Sequence, residues 1–505
     1  MRRGVANPSI ELRIRAQQQK CAGAPNGCQR GVHGAVRTPA RRAEAAAPRR
    51  RSASALHASL AWARSGDSNP PRRGTRLTEA DPLPERLEIA PRSSIDAQLR
   101  PPGSKSITNR ALLLAALARG DSRLLGPLDS DDTRVMVQCL VALGVPITMG
   151  ANGWSVAGRD GRLDRPPTAL HTGNSGTTAR FLTAACALVD GNVVIDGSER
   201  MRQRPISDLV DALEQLGVQV DSLGEGGCPP LRVRGGSLRG GRAVIDGSRS
   251  SQYVSGVLMV APHAQQDVEL SFLNGVLVSR PYVELTLQMM RAFGVAADWT
   301  SEGGLEVKSG QHYRGREYSI EPDASAAVYP FCAAAITGGL VRVLGLPSDS
   351  IQADLALLPI LEQMGCDVTR TDRGIAVQGP GGSLEGVDVD MNNLPDAALA
   401  LAVVAAFARG PTHIRNVGNL RIKETDRLAA LEHELCKLGA SARTTQDSLT
   451  IEPGPLRAAE IETYHDHRMA MSFALAGLRQ PGVVIQDPAC VTKTWPGYFA
   501  MLESL

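Results

Sequence analysis

Short polar loops and runs of small apolar residues alternate along the chain from Leu87 to its end. The apolar runs read ALLLAALA, FLTAACAL, VSGVLMVA, AVYPFCAAA, ALALAVVAA and MAMSFALAG. Because each run is apolar on nearly every side, the pattern predicts six interior helices. The polar loops in front of them are Gly103-Ser104-Lys105, Gly173-Asn174-Ser175, Ser250-Ser251-Gln252, Pro322-Asp323-Ala324-Ser325, Leu394-Pro395-Asp396 and Asp466-His467-Arg468.

A glycine signal repeats with a similar period. Five glycines follow a bulky apolar residue at intervals of 71 to 77 residues: Gly144, Gly217, Gly294, Gly365 and Gly439. Each position suits the left-handed residue that ends a helix, and a strand-like run follows. The two signals together predict an α/β protein built from six units of about 70 residues. We expect two domains of three units each, with parallel buried helices whose N-termini share one face.

Length and composition fit this architecture. The 505 residues are 43% hydrophobic and 21% charged, which is typical of a globular chain with two domains. No apolar run reaches the roughly 18 residues of a membrane span, so we expect no membrane partner. The nine cysteines form no CxxC pair, and Cys139, Cys186 and Cys436 lie in apolar helical runs. That placement predicts buried thiols in a reducing compartment.

Charge is distributed unevenly along the chain. Residues 1–76 carry a net charge of +13, so the remaining residues carry −10 of the total of +3. Residues 1–85 are rich in Arg, Ala and Pro without periodicity, which predicts a disordered basic N-terminal extension. Three interpretations stay open for this extension: an organelle transit peptide, a nucleic-acid-binding arm, or sequence translated upstream of the true start.

The polar loops suggest anion binding. Each helix N-terminus presents unpaired N–H groups and a partial positive charge, so several of them at one cleft attract anions. Taken singly, each motif is equally a helix cap or a solvated charge run. The first loop lacks the glycine spacing of a P-loop, and His465-Asp466-His467 lacks further ligands for zinc. Seven basic residues form the candidate anion-binding set: Lys105, Arg110, Arg204, Lys423, Arg427, Arg468 and Lys493.

Eight motifs in order carry a resemblance to a known family. They are GSKSITNR, GNSGTTAR, ERMRQRPI, SRSSQY, LVSRPY, NLRIKETDR, YHDHRMA and VTKTWPGYF. From Leu87 to Leu505 the chain resembles 5-enolpyruvylshikimate-3-phosphate synthases, the 3-phosphoshikimate 1-carboxyvinyltransferases. The resemblance implies a two-domain inverse α/β barrel, the enolpyruvyl transferase fold. It also implies domains at 104–322 and at 86–103 with 323–505.

The resemblance further implies a reaction. Members transfer the enolpyruvyl group of phosphoenolpyruvate to the 5-hydroxyl of shikimate 3-phosphate and release phosphate, a step of the shikimate pathway to aromatic amino acids. They use no cofactor and no metal. We therefore expect two small-molecule substrates, no nucleic-acid partner and a monomer. The expected compartment is the cytoplasm, or a plastid if the extension is a transit peptide.

Site residues follow from the matching motifs. The resemblance makes Asp396 the base for the 5-hydroxyl, has Glu424 help deliver a proton to the methylene carbon, and gives Lys105 a catalytic role. The residues implied for shikimate 3-phosphate are Lys105, Ser106, Arg110, Ser250, Ser251, Gln252, Ser279, Tyr282, Asp396, Asn419 and Lys423. Those implied for phosphoenolpyruvate are Lys105, Asn174, Gly176, Arg204, Gln252, Arg427, Arg468 and Lys493. His467 is a weaker candidate.

One residue departs from the family's motif pattern. Many members have Pro where this chain has Phe181, which predicts an altered backbone path near Gly176.

Two alternative functions remain. The first is that of the sister transferase that acts on a UDP-amino sugar, but that family relies on a loop Cys and lacks the KETDR and HDHRMA patterns. Nucleic-acid binding through the basic arm is the rival of another class, although the rest of the chain is acidic and lacks interleaved aromatic residues.

Overall fold

Twelve α-helices lie within the part of the chain that the computed structural model describes, residues 83–236 and 238–505. The predicted N-terminal extension lies outside this part, apart from its last residues. The helices are α1 (Lys105–Leu117), α2 (Asp131–Ala142), α3 (Gly176–Ala185), α4 (Ser207–Gln215), α5 (Ser251–Val260), α6 (Arg280–Ala292), α7 (Ala324–Thr337), α8 (Leu357–Gln363), α9 (Ala398–Ala405), α10 (Arg427–Leu438), α11 (His467–Gly477) and α12 (Tyr498–Ser504).

The strands are short and occur between the helices. They are β1 (Arg86–Glu88), β2 (Asp96–Leu99), β3 (Asp121–Leu125), β4 (Ile147–Gly150), β5 (Gly153–Ala157), β6 (Leu170–His171), β7 (Gly191–Asp196), β8 (Gln219–Ser222), β9 (Leu231–Gly235), β10 (Gly241–Gly247), β11 (Val268–Leu277), β12 (Ala297–Trp299), β13 (Leu305–Val307), β14 (Glu317–Ser319), β15 (Leu340–Leu344), β16 (Asp367–Thr371), β17 (Gly374–Gln378), β18 (Leu384–Glu385), β19 (Asp388–Asp390), β20 (Ala408–Arg409), β21 (Thr412–Arg415), β22 (Ser441–Thr444), β23 (Leu449–Glu452), β24 (Ala459–Ile461) and β25 (Val483–Gln486).

The sheets show the predicted repetition. Within the described residues, five four-stranded sheets share one topology, in which an edge strand runs parallel to its neighbour and an antiparallel hairpin completes the sheet. Their strand orders are β14-β3-β5-β4, β6-β7-β9-β8, β10-β11-β13-β12, β2-β15-β17-β16 and β19-β21-β23-β22. The sixth unit has a three-stranded sheet, β1-β25-β24. The α/β class and the six units are therefore confirmed.

Two strands pair with partners that are far away in the sequence. Strand β2 precedes the first buried helix but pairs with β15, with Ala97 opposite Val341. Strand β14 in turn closes the first unit by pairing with β3, with Tyr318 opposite Leu124. The chain therefore crosses between the two halves twice, near residues 100–104 and 320–323.

The predicted helix ends are also observed. The five repeated glycines have φ between +82° and +108°, the left-handed conformation that glycine adopts without steric cost. Each lies directly after the second helix of its unit or one residue beyond it. The five are Gly144, Gly217, Gly294, Gly365 and Gly439.

Two hydrophobic cores lie within one compact unit that includes all the described residues. One consists of residues between Ile107 and Ile320, and the other combines Ile89 and Ile95 with residues between Ala324 and Leu502. We call them the first and the second core. The domain boundaries at 104–322 and at 86–103 with 323–505 stay a proposal, which this separation supports. The described residues include no helix that is long and apolar enough to cross a membrane.

Candidate active site

The polar openings of all six buried helices meet at one cleft. Hydroxyl and amide groups line its larger cavity, which has a volume of about 820 Å³ including space open to solvent. Its polar lining includes Lys105, Ser106, Arg110, Thr177, Arg249, Ser250, Ser251, Gln252, Ser279, Tyr282, Asp323, Ser325, Tyr329, Asp396, Asn419, Lys423 and Arg468. We call this the hydroxyl cavity.

A smaller cavity of about 330 Å³ adjoins it and is lined mainly by charged groups. Its lining consists of Lys105, Asp132, Gly176, Thr177, Arg204, Gln252, Asp396, Lys423, Glu424, Arg427, His467 and Arg468. We call this the cationic cavity. Six residues line both cavities and mark where they join: Lys105, Thr177, Gln252, Asp396, Lys423 and Arg468.

Arg110 is a buried cation in the wall of the hydroxyl cavity. Its guanidinium donates to Thr286 Oγ1 at 2.7 Å and to Ser255 Oγ at 3.2 Å, and it lies 5.2 Å from the centre of the Phe181 ring. Among the described residues no carboxylate pairs with it, and burial lowers its pKa to about 10. An anionic ligand group in this cavity therefore finds a cation whose charge is not neutralised.

Asn419 is a second unsatisfied group in this cavity. Its side chain is buried, and Oδ1 has no hydrogen-bond partner within the described structure. Because buried polar atoms are nearly always paired, this oxygen marks a position for a ligand donor. Ser250 instead caps helix α5, since its Oγ accepts a hydrogen bond from Gln252 N at 3.2 Å.

Arg427 is hydrogen-bonded to three carboxylates in and around the cationic cavity. It donates to Asp466 from Nε at 2.7 Å, to Asp396 from Nη1 at 2.9 Å and to Glu424 from Nη2 at 2.9 Å. The guanidinium is 1% exposed, so these contacts are made in a low dielectric. Burial lowers the pKa of Arg427, but the three carboxylates raise it above its usual value.

Asp396 lies among three cations where the cavities join. Arg468 Nη2 is 3.0 Å from Oδ2, Arg427 Nη1 is 2.9 Å from Oδ1, and Lys423 Nζ is 3.8 Å from Oδ1. Burial alone would raise the pKa of Asp396, but the three cations hold it well below its usual value. The carboxylate is ionised and faces both cavities.

Glu424 has a similar environment on the other side of Arg427. Besides Arg427, its carboxylate lies 3.7 Å from Arg204 Nη1 and 3.9 Å from Lys493 Nζ. Burial would raise the pKa of Glu424, but these cations keep it well below its usual range. Glu424 therefore needs an anionic ligand to neutralise the cations before it gains a proton.

The loop that begins the GNSGTTAR motif, at residues 173–176, forms part of the wall of the cationic cavity. We call it the second-motif loop. Arg204 Nη1 donates to the Asn174 carbonyl and side-chain oxygens, each at 3.4 Å, and its Nε has no partner within the described structure. A Cβ added to Gly176 would lie 2.8 Å from Arg204 Nη2 and 2.5 Å from Arg180 Nη1. Because Gly176 has no Cβ, the Arg204 guanidinium can lie against its backbone.

Asp132 is a residue that the sequence reading missed. Its carboxylate pairs with Lys105 at 3.2 Å and accepts a hydrogen bond from Lys493. Lys493 also donates to the Asn174 carbonyl at 2.8 Å, which joins the C-terminal segment to the second-motif loop. The only sequence signal is the pair Asp131-Asp132 at the start of α2, which is as typical of an ordinary helix start.

His467 stays neutral within this cluster. Its ring is 1% exposed, and both ring nitrogens have no hydrogen-bond partner within the described structure. Burial lowers its pKa well below the usual value, although Glu424 acts in the opposite direction. A neutral imidazole beside Glu424 is available to a ligand as donor or acceptor.

Two local features differ from what the sequence suggests. The four-residue spacing of Lys423 and Arg427 is typical of one helix face, but a 3₁₀ turn at Gly418–Ile422 precedes an extended Lys423, and α10 begins only at Arg427. Both side chains still lie next to the Asp396 carboxylate, with Lys423 Nζ at 3.8 Å and Arg427 Nη1 at 2.9 Å from its Oδ1. Cys436 is exposed on α10 rather than buried, whereas Cys139 and Cys186 are buried.

The structure brings the predicted site residues together. All of them line one of the two cavities except Asn174 and Lys493, which contact Arg204 and Asp132 in the wall of the cationic cavity. Phe181 is fully buried, and its ring packs beneath Arg110. Within residues 83–236 and 238–505, no group of three or more His, Cys, Asp or Glu side chains is arranged to hold a metal ion.

Comparisons with known proteins agree on one family. The EPSP synthase family, 3-phosphoshikimate 1-carboxyvinyltransferase, matches residues 89–502. A 3-phosphoshikimate 1-carboxyvinyltransferase of Nostoc punctiforme is 46% identical over 407 residues, 80% of this chain and 95% of its own length. One of Yersinia pestis is 46% identical over 426 residues, 83% of this chain and 99% of its own. The solved EPSP synthase of Acinetobacter baumannii superposes with a TM-score of 0.70 at 27% identity, covering 83% of this chain and 97% of that one. The predicted fold is confirmed.

Proposed function

The chain belongs to the EPSP synthase family, and we propose that its two adjoining cavities divide the two substrates of this family's reaction between them. The enzyme transfers the enolpyruvyl group of phosphoenolpyruvate to the 5-hydroxyl of shikimate 3-phosphate and releases phosphate, a step in the synthesis of aromatic amino acids. Shikimate 3-phosphate occupies the hydroxyl cavity, and phosphoenolpyruvate occupies the cationic cavity.

One observation carries this assignment: two chemically different cavities share a wall that contains Asp396. The hydroxyl cavity offers many hydroxyl groups and one unneutralised cation, Arg110, which suits a polyhydroxylated ring with anionic substituents. The cationic cavity holds Arg204, Arg427 and Arg468, which suit a small molecule that bears both a carboxylate and a phosphate.

The roles of single residues follow the same division. The proposed ligands of shikimate 3-phosphate are Lys105, Ser106, Arg110, Ser250, Ser251, Gln252, Ser279, Tyr282, Asp396, Asn419 and Lys423. The proposed ligands of phosphoenolpyruvate are Lys105, Asn174, Gly176, Arg204, Gln252, Arg427, Arg468 and Lys493.

The chemistry is an addition followed by an elimination. The 5-hydroxyl oxygen bonds to C2 of phosphoenolpyruvate, its proton goes to Asp396, and a proton is added at the methylene carbon. Loss of a methyl proton then expels phosphate and restores the double bond. Asp396 is the base, Glu424 assists at the methylene carbon, and Lys105 stabilises developing charge.

The electrostatics support this order of events. Within the cleft the cations hold the pKa values of Asp396 and Glu424 low, so both are weak bases. The carboxylate and phosphate of phosphoenolpyruvate neutralise Arg427, Arg468 and Arg204. Both pKa values then rise, because the stabilising positive charge is partly neutralised. Substrate binding therefore activates the two carboxylates.

Matched variants in the two cavities test the assignment. Asn419→Ala removes a buried acceptor of the hydroxyl cavity and should raise KM for shikimate 3-phosphate about tenfold, with KM for phosphoenolpyruvate nearly unchanged. Arg204→Ala should have the reverse selectivity. Steady-state kinetics with each substrate varied in turn measures both effects, and variants that raise the two KM values equally would refute the division.

The same proposal includes a monomer in the cytoplasm that binds no nucleic acid. An alternative is a plastid, if residues 1–85 are a transit peptide. Sedimentation equilibrium tests the monomer, nucleic-acid retention by the full chain at low salt tests the arm, and cleavage on import into isolated plastids tests the compartment.

A further inference from the structure

A buried carboxylate that has no role so far lies directly behind Tyr282. Asp354 lies in a 3₁₀ turn, Ala353–Ala356, and is 4% exposed. Its Oδ2 accepts hydrogen bonds from Tyr282 Oη at 2.8 Å and from Ser325 Oγ at 2.6 Å. Asp354 lines neither cavity, whereas Tyr282 and Ser325 both line the hydroxyl cavity.

This contact joins the two halves of the molecule. Tyr282 lies on α6, whose neighbouring residues Val283 and Leu285 belong to the first core. Asp354 lies shortly before Leu357 of the second core, and Ser325 lies in the first turn of α7 in the same half. The backbone of Tyr282 therefore belongs to one half of the cleft, whereas its phenol hydroxyl is hydrogen-bonded to the other half.

The environment of Asp354 is unfavourable for a purely structural residue. Burial raises its pKa, and the more distant Arg468 and the two hydroxyl donors offset this only in part. Its Oδ1 has no hydrogen-bond partner within the described structure, which destabilises the fold. Its polar contacts are the two hydroxyl donors on Oδ2, and both of these residues line the hydroxyl cavity.

We propose that Asp354 is a positioning residue that holds the Tyr282 ring as a fixed wall of the hydroxyl cavity and so raises the affinity for shikimate 3-phosphate. The inference rests on the proposed function, because it needs shikimate 3-phosphate in this cavity. The bond spans both halves of the cleft, so it forms only when the halves are together. Asp354 acts through Tyr282 and does not touch the substrate.

A double-mutant cycle tests the coupling. Asp354→Leu removes the acceptor and should raise Kd for shikimate 3-phosphate about tenfold. In a Tyr282→Phe background the same change should raise Kd by less than about twofold, because the phenol that Asp354 holds is already absent. Asp354→Asn should stay within about threefold of the wild type, since its amide oxygen accepts from both hydroxyls. Titration calorimetry of the full-length protein measures each Kd.

The chain offers a matched control. Glu434 is fully buried and accepts a hydrogen bond from Tyr464 Oη at 2.9 Å, yet it lines neither cavity. Glu434→Leu should lower the Tm and leave Kd for shikimate 3-phosphate unchanged. If Asp354→Leu behaves like Glu434→Leu, or raises Kd equally in both backgrounds, the proposal is wrong.

Tyr282→Phe provides the test if the leucine variant does not fold. It removes only the hydroxyl and should raise Kd by about the same tenfold factor, and an unchanged Kd would overturn the proposal. Failure of the proposed function is distinct, because Asn419→Ala would then leave Kd for shikimate 3-phosphate unaffected. A wild-type protein that binds no shikimate 3-phosphate would overturn both.

Discussion

Replacing Asp396 by asparagine removes the base proposed for the 5-hydroxyl while keeping the size of the side chain. The carboxylate lies 2.9 Å from Arg427 and 3.0 Å from Arg468, and it is the charged acceptor in the wall shared by both cavities. An amide keeps one oxygen to accept a hydrogen bond but cannot take up the proton. General-base catalysis contributes about 10²–10⁴ in rate, so kcat should fall by that factor, equivalent to about 3–5 kcal/mol in activation free energy.

Binding should change much less than kcat. Phosphoenolpyruvate brings two anionic groups that replace the lost carboxylate beside Arg427 and Arg468, so its Kd should change by less than about tenfold. Asp466→Asn is the matched control, because Asp466 pairs with the same guanidinium at 2.7 Å but lines neither cavity. Its side chain also caps α11, a role that asparagine fills equally well. The control should keep kcat within about tenfold.

The assay is single-turnover kinetics beside equilibrium binding for both variants. A kcat that holds within a few-fold while substrate binding collapses would mean that Asp396 is only a charge partner for the arginines. The pH dependence gives a second check. Cations hold the pKa of Asp396 below its usual 3.8, so Asp396 should produce no acid limb in kcat/KM above about pH 4. Any limb that it causes should appear in kcat, where bound substrate has neutralised the cations.

Three further substitutions test other parts of the site. Glu424→Gln should lower kcat about 10²-fold and slow the exchange of solvent deuterium into the methylene of phosphoenolpyruvate, measured by NMR; an unchanged exchange rate would exclude its role at carbon. Gly176→Ala places a Cβ 2.8 Å from Arg204 and should raise KM for phosphoenolpyruvate about tenfold, with little effect on shikimate 3-phosphate; equal effects would contradict this. Phe181→Leu removes the ring 5.2 Å from Arg110, a contact worth about 0.5–2 kcal/mol, and should raise KM for shikimate 3-phosphate about 2- to 30-fold; an effect confined to phosphoenolpyruvate would refute it.

Local sequence signals predicted the repeated units well. Apolar runs predict interior helices, and glycines such as Gly144 and Gly439 mark left-handed helix ends, because both depend on neighbouring residues. Strands β2 and β14 each pair across more than 190 residues. No local pattern predicts such pairing, and the family resemblance implied only that residues 86–103 join the later half of the chain.

The residues that sequence reading missed are held by distant contacts. Asp132 meets Lys493 across 361 residues, and Asp354 meets Tyr282 across 72. In the sequence both look like ordinary acidic residues near the start of a helix. The spacing of Lys423 and Arg427 also fits a helix, but the chain is extended at Lys423. Cys436 was misread because an amphipathic helix also has apolar-looking positions on its exposed side.

Phosphate release is the direct test of transfer between the two cavities. Inorganic phosphate should appear only when shikimate 3-phosphate and phosphoenolpyruvate are both present, and its amount should equal that of the enol ether formed at the 5-position. In one sample, ¹³C NMR of phosphoenolpyruvate labelled at C2 follows the enol ether, and ³¹P NMR follows the released phosphate. Phosphate released from phosphoenolpyruvate alone, or a label that never reaches the shikimate ring, would contradict the transfer between the two cavities.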